Sequence, residues 1–111
     1  PKLVIPLPPP LVWRGAAPLS AIYVLTPPSP RSARARVTIR PLSQRSAFLA
    51  LLRNTFNTIV TDPSRLERQF ELVGRLAGEV PLRSLTFPRR LYRLPAVRDA
   101  ILSDLRGEAR R

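Results

Sequence analysis

The sequence predicts an α+β fold in which a small, mostly antiparallel sheet packs with three helices. In three segments after residue 43, apolar residues recur every three to four positions, which is typical of amphipathic helices. Four short apolar stretches, bounded by proline or glycine, have the composition of strands. A length of 111 residues with 44% hydrophobic residues limits the chain to one domain with a modest core.

The first third of the chain predicts two strands and a loop. Residues 2–7 form the first strand, which Pro6 places at a sheet edge, and Pro8–Pro10 predict a polyproline-like spacer. Such a proline tract also suits an aromatic-lined groove, but the spacer interpretation is preferred. Residues 19–25 form the strongest strand signal, and their nearly continuous apolar character predicts an inner strand buried on both faces. The proline-rich residues 26–36 predict an exposed loop.

Residues 37–59 predict a strand, a tight turn and a helix. The strand over 37–40 ends at Pro41, because proline cannot donate to a sheet ladder. Ser43 suits the N-cap of the helix over 44–59, since its hydroxyl can accept from a free backbone N–H. The helix carries an apolar stripe of Phe48, Leu51, Leu52, Phe56 and Ile59.

A second helix is predicted shortly after the first, and we expect the two helices to form a helical hairpin. Asp62 suits its N-cap and Pro63 its first position. The helix over 63–77 has Leu66, Phe70, Val73 and Ala77 on one stripe. Gly78 is placed to end it in left-handed geometry.

The remaining residues predict a strand over 80–87, a turn over 88–91 and a last helix opened by Leu94 and Pro95. Alternation in the strand places Arg83 and Leu85 on one face. The last helix is lined by Val97, Ile101 and Leu105, has Asp104 away from that apolar side, and ends at Gly107. Residues 1–111 are thus interpreted as a single domain: proline-rich strands and loop over 1–36, a strand–helix–helix–strand–helix unit over 37–107, and a frayed tail over 108–111.

The charge is strongly basic, with 19 basic against 7 acidic residues and a net charge of +12. Clustered arginines would neutralise the phosphates of a nucleic acid, whereas a basic surface also suits an acidic protein. The arginines are scattered through every predicted element, so we expect binding to polyanions to be non-specific.

Catalytic chemistry has little support in the sequence. Cysteine and histidine are absent, which excludes thiolate and imidazole ligands for a metal and a histidine base. The four glycines stand apart and the only lysine is Lys2, so no phosphate-cradling loop exists. No catalytic, cofactor-binding or metal-binding residue is predicted in this chain. The absence of an apolar run of about 20 residues and of a signal-peptide layout leads us to expect a cytoplasmic protein without membrane contact.

The most site-like cluster comprises Arg89, Arg90, Tyr92 and Arg93. Guanidinium groups beside an aromatic ring suit a phosphate or an acidic peptide, which makes these residues a candidate anion or partner contact. The preferred alternative is that Tyr92 packs under the last helix while the arginines are solvated. Trp13 suits either a partner contact or cover for the edge of the core.

Several of these stretches together resemble the C-terminal half of bacterial HPr serine kinase-like proteins. The resemblance lies in patterns of apolar and turn residues over 18–25, 39–43, 47–56, 80–89 and 94–101. Proteins of that group are similar to HPr kinase/phosphorylase and ATP-dependent phosphoenolpyruvate carboxykinases in their nucleotide-binding core. The resemblance implies that the first strands extend a larger sheet, so that residues 1–111 are a single partial domain.

The resemblance carries no catalytic residue into this sequence, because the family's phosphate loop and acidic metal-binding residues lie N-terminal to the matching region. ATP and magnesium are therefore implied only for a complete family member. The expected function is that of a C-terminal segment of an ATP-dependent protein serine kinase, inactive alone. Expected partners are an N-terminal nucleotide-binding half or a second copy. The alternative is a small basic binding module for nucleic acid or an acidic protein.

Overall fold

The computed structural model describes residues 2–27, 36–55 and 62–109. Its strands are β1 (Ile22–Thr26), β2 (Thr38–Pro41) and β3 (Leu82–Thr86), and its helices are α1 (Gln44–Asn54), α2 (Pro63–Glu79) and α3 (Leu94–Ala109). Short 3₁₀ turns occupy Pro9–Leu11 and Leu91–Arg93. A small sheet with three helices confirms the predicted α+β fold.

The sheet is mixed and has β3 at its centre. The strand order is β1-β3-β2, with β1 parallel to β3 and β2 antiparallel to it. The register aligns Tyr23 with Arg83 and places Ile39 opposite Leu85. Because side chains alternate between the faces of a strand, Tyr23, Arg83 and Leu85 belong to one face. The antiparallel component of the predicted sheet is the β2–β3 pair.

The prediction that the Leu19–Leu25 stretch forms an inner strand is wrong. Among the described residues, β1 pairs only with β3, and Leu25 is 66% exposed. The inner strand is instead β3, where Leu82, Arg83 and Leu85 are buried. The hydrophobicity of a strand indicates whether it can be buried. Its position in the sheet depends on which other strands pair with it.

The predicted strand over residues 2–7 is also absent. Residues 2–20 are all exposed, and we call them the N-terminal arm. The 3₁₀ turn at Pro9–Leu11 replaces the expected polyproline spacer. Pro6 removes a backbone donor, and no described strand lies beside this segment to pair with it. Trp13 is exposed in the arm and covers no core edge.

The helix starts follow the predictions. The Ser43 side chain accepts a hydrogen bond from the Ser46 backbone N–H at 3.2 Å, which confirms the N-cap of α1. The Asp62 carboxylate accepts from the Ser64 N–H at 3.1 Å, with Pro63 as the first residue of α2. Phe56 and Ile59, which belong to the predicted stripe of α1, lie outside the described residues.

The predicted glycine stops are wrong. Helix α2 passes through Gly78 to Glu79, and the Val80 N–H donates to the Leu76 carbonyl at 2.9 Å. A Cβ on Gly78 would lie 3.2 Å from Nε2 of Gln44, so the Gln44 side chain of α1 lies close to α2 at this glycine. Helix α3 likewise continues through Gly107 to Ala109, so residues 108 and 109 of the predicted frayed tail are helical, and residues 110–111 lie outside the described residues.

The core is small. The helical hairpin is confirmed by the packing of α1 on α2, where the rings of Phe48 and Phe70 lie 6.3 Å apart. Buried apolar side chains in the described part of the chain are Ala47, Val73, Leu82, Leu85 and Val97. Across residues 2–27, 36–55 and 62–109, no helix combines the length and apolar character that crossing a membrane requires.

Candidate functional site

The predicted arginine and tyrosine cluster lies in the connection between β3 and α3. The Arg90 N–H donates to the Pro88 carbonyl at 2.8 Å, and the Arg93 N–H donates to the Arg90 carbonyl at 2.9 Å. These two bonds fold residues 88–93 into a compact turn that leads directly into α3. The turn is held at both ends, because Leu85 of β3 and Val97 of α3 are buried.

Tyr92 is 74% exposed, so the alternative in which it packs under the last helix is wrong. The guanidinium carbon of Arg93 lies 5.6 Å from the centre of the Tyr92 ring, within the range of a cation–π contact. The Nε atom of Arg93 is buried without a hydrogen-bond partner among the described residues. The Tyr92 ring therefore lies at the surface, with the half-buried side chain of Arg93 beside it.

Arg89 and Arg90 line an open cavity of about 250 Å³ together with three apolar side chains. We call the cavity wall formed by Phe87, Leu91 and Leu94 the apolar pocket, and we call Arg89, Arg90, Tyr92 and Arg93 the basic surface. Leu91 is 85% exposed although it is a large aliphatic residue. The four predicted residues thus lie on one turn, with an apolar depression beside them that the sequence analysis did not anticipate.

The arginines of the basic surface form no ion pair with a described carboxylate. Within the described ranges, the ion pairs join Arg83 to Asp104 and Arg98 to Asp99, and neither involves Arg89, Arg90 or Arg93. Both Arg89 and Arg90 are exposed. Their charges therefore remain available to an acidic ligand.

A second polar group lies between the sheet and α3, and the sequence analysis missed it. The Tyr23 hydroxyl donates to Oδ2 of Asp104 at 2.5 Å, and Nη1 of Arg83 lies 3.0 Å from the same oxygen. Arg83 is only 7% exposed. The strand register brings Tyr23 beside Arg83, and α3 supplies the carboxylate.

This partly buried group joins the sheet to α3. Burial is the main reason why the pKa of Tyr23 lies above 10.0. The hydrogen bond to Asp104 and the negative charge of Asp104 raise this pKa further, whereas Arg83 lowers it. The phenol therefore stays a hydrogen-bond donor, and Asp104 links β1, β3 and α3. The sequence contained one signal for this group, which is the position of Arg83 on the apolar face of a predicted strand. A buried guanidinium is normally paired, so this position could have predicted a carboxylate partner.

No group of three acidic, histidine or cysteine residues suited to a metal ion occurs within the residues that the structure describes. Comparison of the chain with protein-family models, with curated proteins and with solved structures gives no match. The resemblance to HPr serine kinase-like proteins therefore stays a prediction, and the candidate site is defined by its own geometry.

Proposed function

We propose that this chain is a non-catalytic binding module that holds an acidic segment of a protein partner on its basic surface. The observation that carries the proposal is the exposure of Arg89, Arg90 and Tyr92 on one short turn, where neither arginine forms an ion pair with another described residue. Guanidinium groups form charge-assisted, often bidentate hydrogen bonds with carboxylates.

The turn supports this function through its local order. Contact with the Tyr92 ring restricts Arg93, and backbone hydrogen bonds hold Arg90 and Arg93 in the turn. A group that is already ordered loses less conformational entropy when it binds. An exposed tyrosine beside arginine is also a common composition of interface centres.

An acidic protein is a better fit than nucleic acid. A protein surface that binds nucleic acid usually has a row of basic residues for successive phosphates, often with several aromatic rings on which bases stack. The basic surface instead has one aromatic ring and adjoins the apolar pocket, and a peptide supplies both carboxylates and apolar side chains.

The second candidate is the C-terminal portion of an HPr-kinase-like, ATP-dependent protein. The exposed apolar N-terminal arm and the edge of β1 that pairs with no described strand favour it, because both offer surface to a further folded unit. The partner would be an N-terminal nucleotide-binding half that carries ATP and magnesium, and the location would be cytoplasmic. For this candidate, we expect the purified chain alone to hydrolyse no ATP in the presence of magnesium. ATP hydrolysis that is lost when one residue of this chain is mutated would contradict the candidate.

The experiment compares two variants that each remove two positive charges from exposed positions. Arg89→Gln/Arg90→Gln changes the basic surface, and Arg65→Gln/Arg75→Gln changes exposed positions on α2. The probe is a fluorescent peptide rich in aspartate and glutamate, titrated by anisotropy at about 150 mM salt.

We expect the first variant to bind the peptide about 10-fold more weakly, since two partly exposed charge pairs contribute about 0.5–1 kcal/mol each. The α2 variant should bind within about twofold of the unmodified chain. Equal losses in both variants would show that only net charge matters. Preference for single-stranded DNA over the peptide at this salt concentration would replace the protein partner with a nucleic acid.

A further inference from the structure

The cavity beside the basic surface is small and apolar, and its position is fixed by the fold. Phe87 directly follows β3, while Leu91 begins the 3₁₀ turn and Leu94 begins α3. Buried residues anchor both elements, so the wall of the apolar pocket does not depend on a long loop. The exposed aliphatic side chain of Leu91 lacks the cover that apolar groups favour.

The volume of the cavity restricts what it can hold. About 250 Å³ is below the 300–1,000 Å³ that is typical of pockets for drug-sized molecules. It suits one large aliphatic or aromatic side chain. Arg89 and Arg90 line the same cavity, so carboxylates must lie within a few residues of that side chain to meet them.

Charge complementarity argues against a second copy of the N-terminal arm as the occupant. Residues 1–20 have many apolar side chains but include Lys2 and Arg14 and no acidic residue. An arm of that charge would meet Arg89 and Arg90 with like charge. The ligand that matches both features is an acidic segment of a different protein.

We infer that the apolar pocket accepts one leucine- or phenylalanine-sized side chain of the acidic segment, with carboxylates on either side of it. This inference rests on the proposed function, because Arg89 and Arg90 bind the carboxylates. The basic surface supplies attraction to acidic segments in general, whereas the pocket selects those that have a large apolar residue among the carboxylates.

The test uses three labelled peptides of equal length with the full chain. One has a central leucine between aspartates and glutamates, the second has alanine in place of that leucine, and the third keeps leucine but has asparagine and glutamine in place of the acids. The variants are Leu91→Ser, Arg89→Gln/Arg90→Gln and, as the matched control, Leu72→Ser at an exposed position of α2.

We expect the acidic leucine peptide to bind about 10-fold more tightly than the acidic alanine peptide. Leu91→Ser should reduce this ratio to about twofold or less, whereas Leu72→Ser should preserve it. Arg89→Gln/Arg90→Gln should weaken both acidic peptides by a similar factor, and the third peptide should bind weakest. Amide spectra of each variant check that the fold is kept.

The ratio between the two acidic peptides reports on the pocket, and their absolute affinity reports on the proposed function. Equal affinities for leucine and alanine peptides, with Arg89 and Arg90 still required, would overturn the pocket and leave the proposed function in place. Absence of binding by either acidic peptide would overturn both. A leucine preference that Leu91→Ser leaves unchanged would assign the apolar contact elsewhere and also overturn the inference.

Discussion

Replacing Asp104 with asparagine should destabilise the protein, because Asp104 holds the buried end of Arg83. The substitution keeps the shape of the side chain and removes the charge that lies 3.0 Å from Nη1 of Arg83. Breaking a fully buried ion pair costs on the order of 3–5 kcal/mol. The Asp104 side chain is 25% exposed, so water screens part of the interaction. We therefore expect the free energy of unfolding to fall by about 2–3 kcal/mol.

The control is Asp99→Asn on the same helix. Asp99 pairs with Arg98 at 3.2 Å, but its side chain is 69% exposed. An exposed pair of this kind contributes about 0–1 kcal/mol, so the control should change stability little. Both substitutions remove one negative charge from α3, and they differ in the burial of the arginine partner and in the hydrogen bond that Asp104 accepts from Tyr23.

Urea denaturation followed by circular dichroism measures both variants. A loss of about 2 kcal/mol is a large share of the 5–15 kcal/mol typical of a folded domain, and it should lower the urea midpoint by about 1 M. Tyr23→Phe, alone and combined with Asp104→Asn, completes a double-mutant cycle on the shared Oδ2 atom. Equal midpoints for Asp104→Asn and Asp99→Asn would refute the claim that this carboxylate stabilises the sheet–helix contact.

Alkaline pH should weaken the fold through Tyr23. Because its folded pKa lies above 10.0, the stability that the protonated phenol confers is complete below that pH and is lost as the pH rises through the folded value. Tyr23→Phe should reduce the fall in urea midpoint between about pH 8 and about pH 11, and an unchanged fall would contradict this. Asp62→Ala should cost about 1 kcal/mol by removing the cap of α2, measured by the same denaturation, and a change below about 0.3 kcal/mol would exclude a capping contribution. The full chain should bind a hydrophobic dye or self-associate, and deletion of residues 1–14 should reduce both; a monomer without dye binding would contradict the importance of the exposed apolar arm.

Features that depend on neighbouring residues were readable from the sequence. The caps at Ser43 and Asp62 depend on one side chain and a backbone N–H two or three residues later, so the local pattern contains both partners. The helical hairpin followed from two apolar stripes joined by a short connection. The grouping of Arg89, Arg90 and Tyr92 on one turn followed from their adjacency in the chain. The exposure of Tyr92 did not follow from the sequence, because it depends on whether α3 covers the ring.

Features that join distant residues required the tertiary structure. Arg83 and Asp104 lie on different elements, and no local pattern connects a strand arginine to one particular carboxylate of a later helix. The edge position of β1 depends on strand order, since parallel pairing with β3 brings together segments about 60 residues apart. In each case the deciding interaction is between residues far apart in the chain, so residue type and spacing leave more than one outcome open.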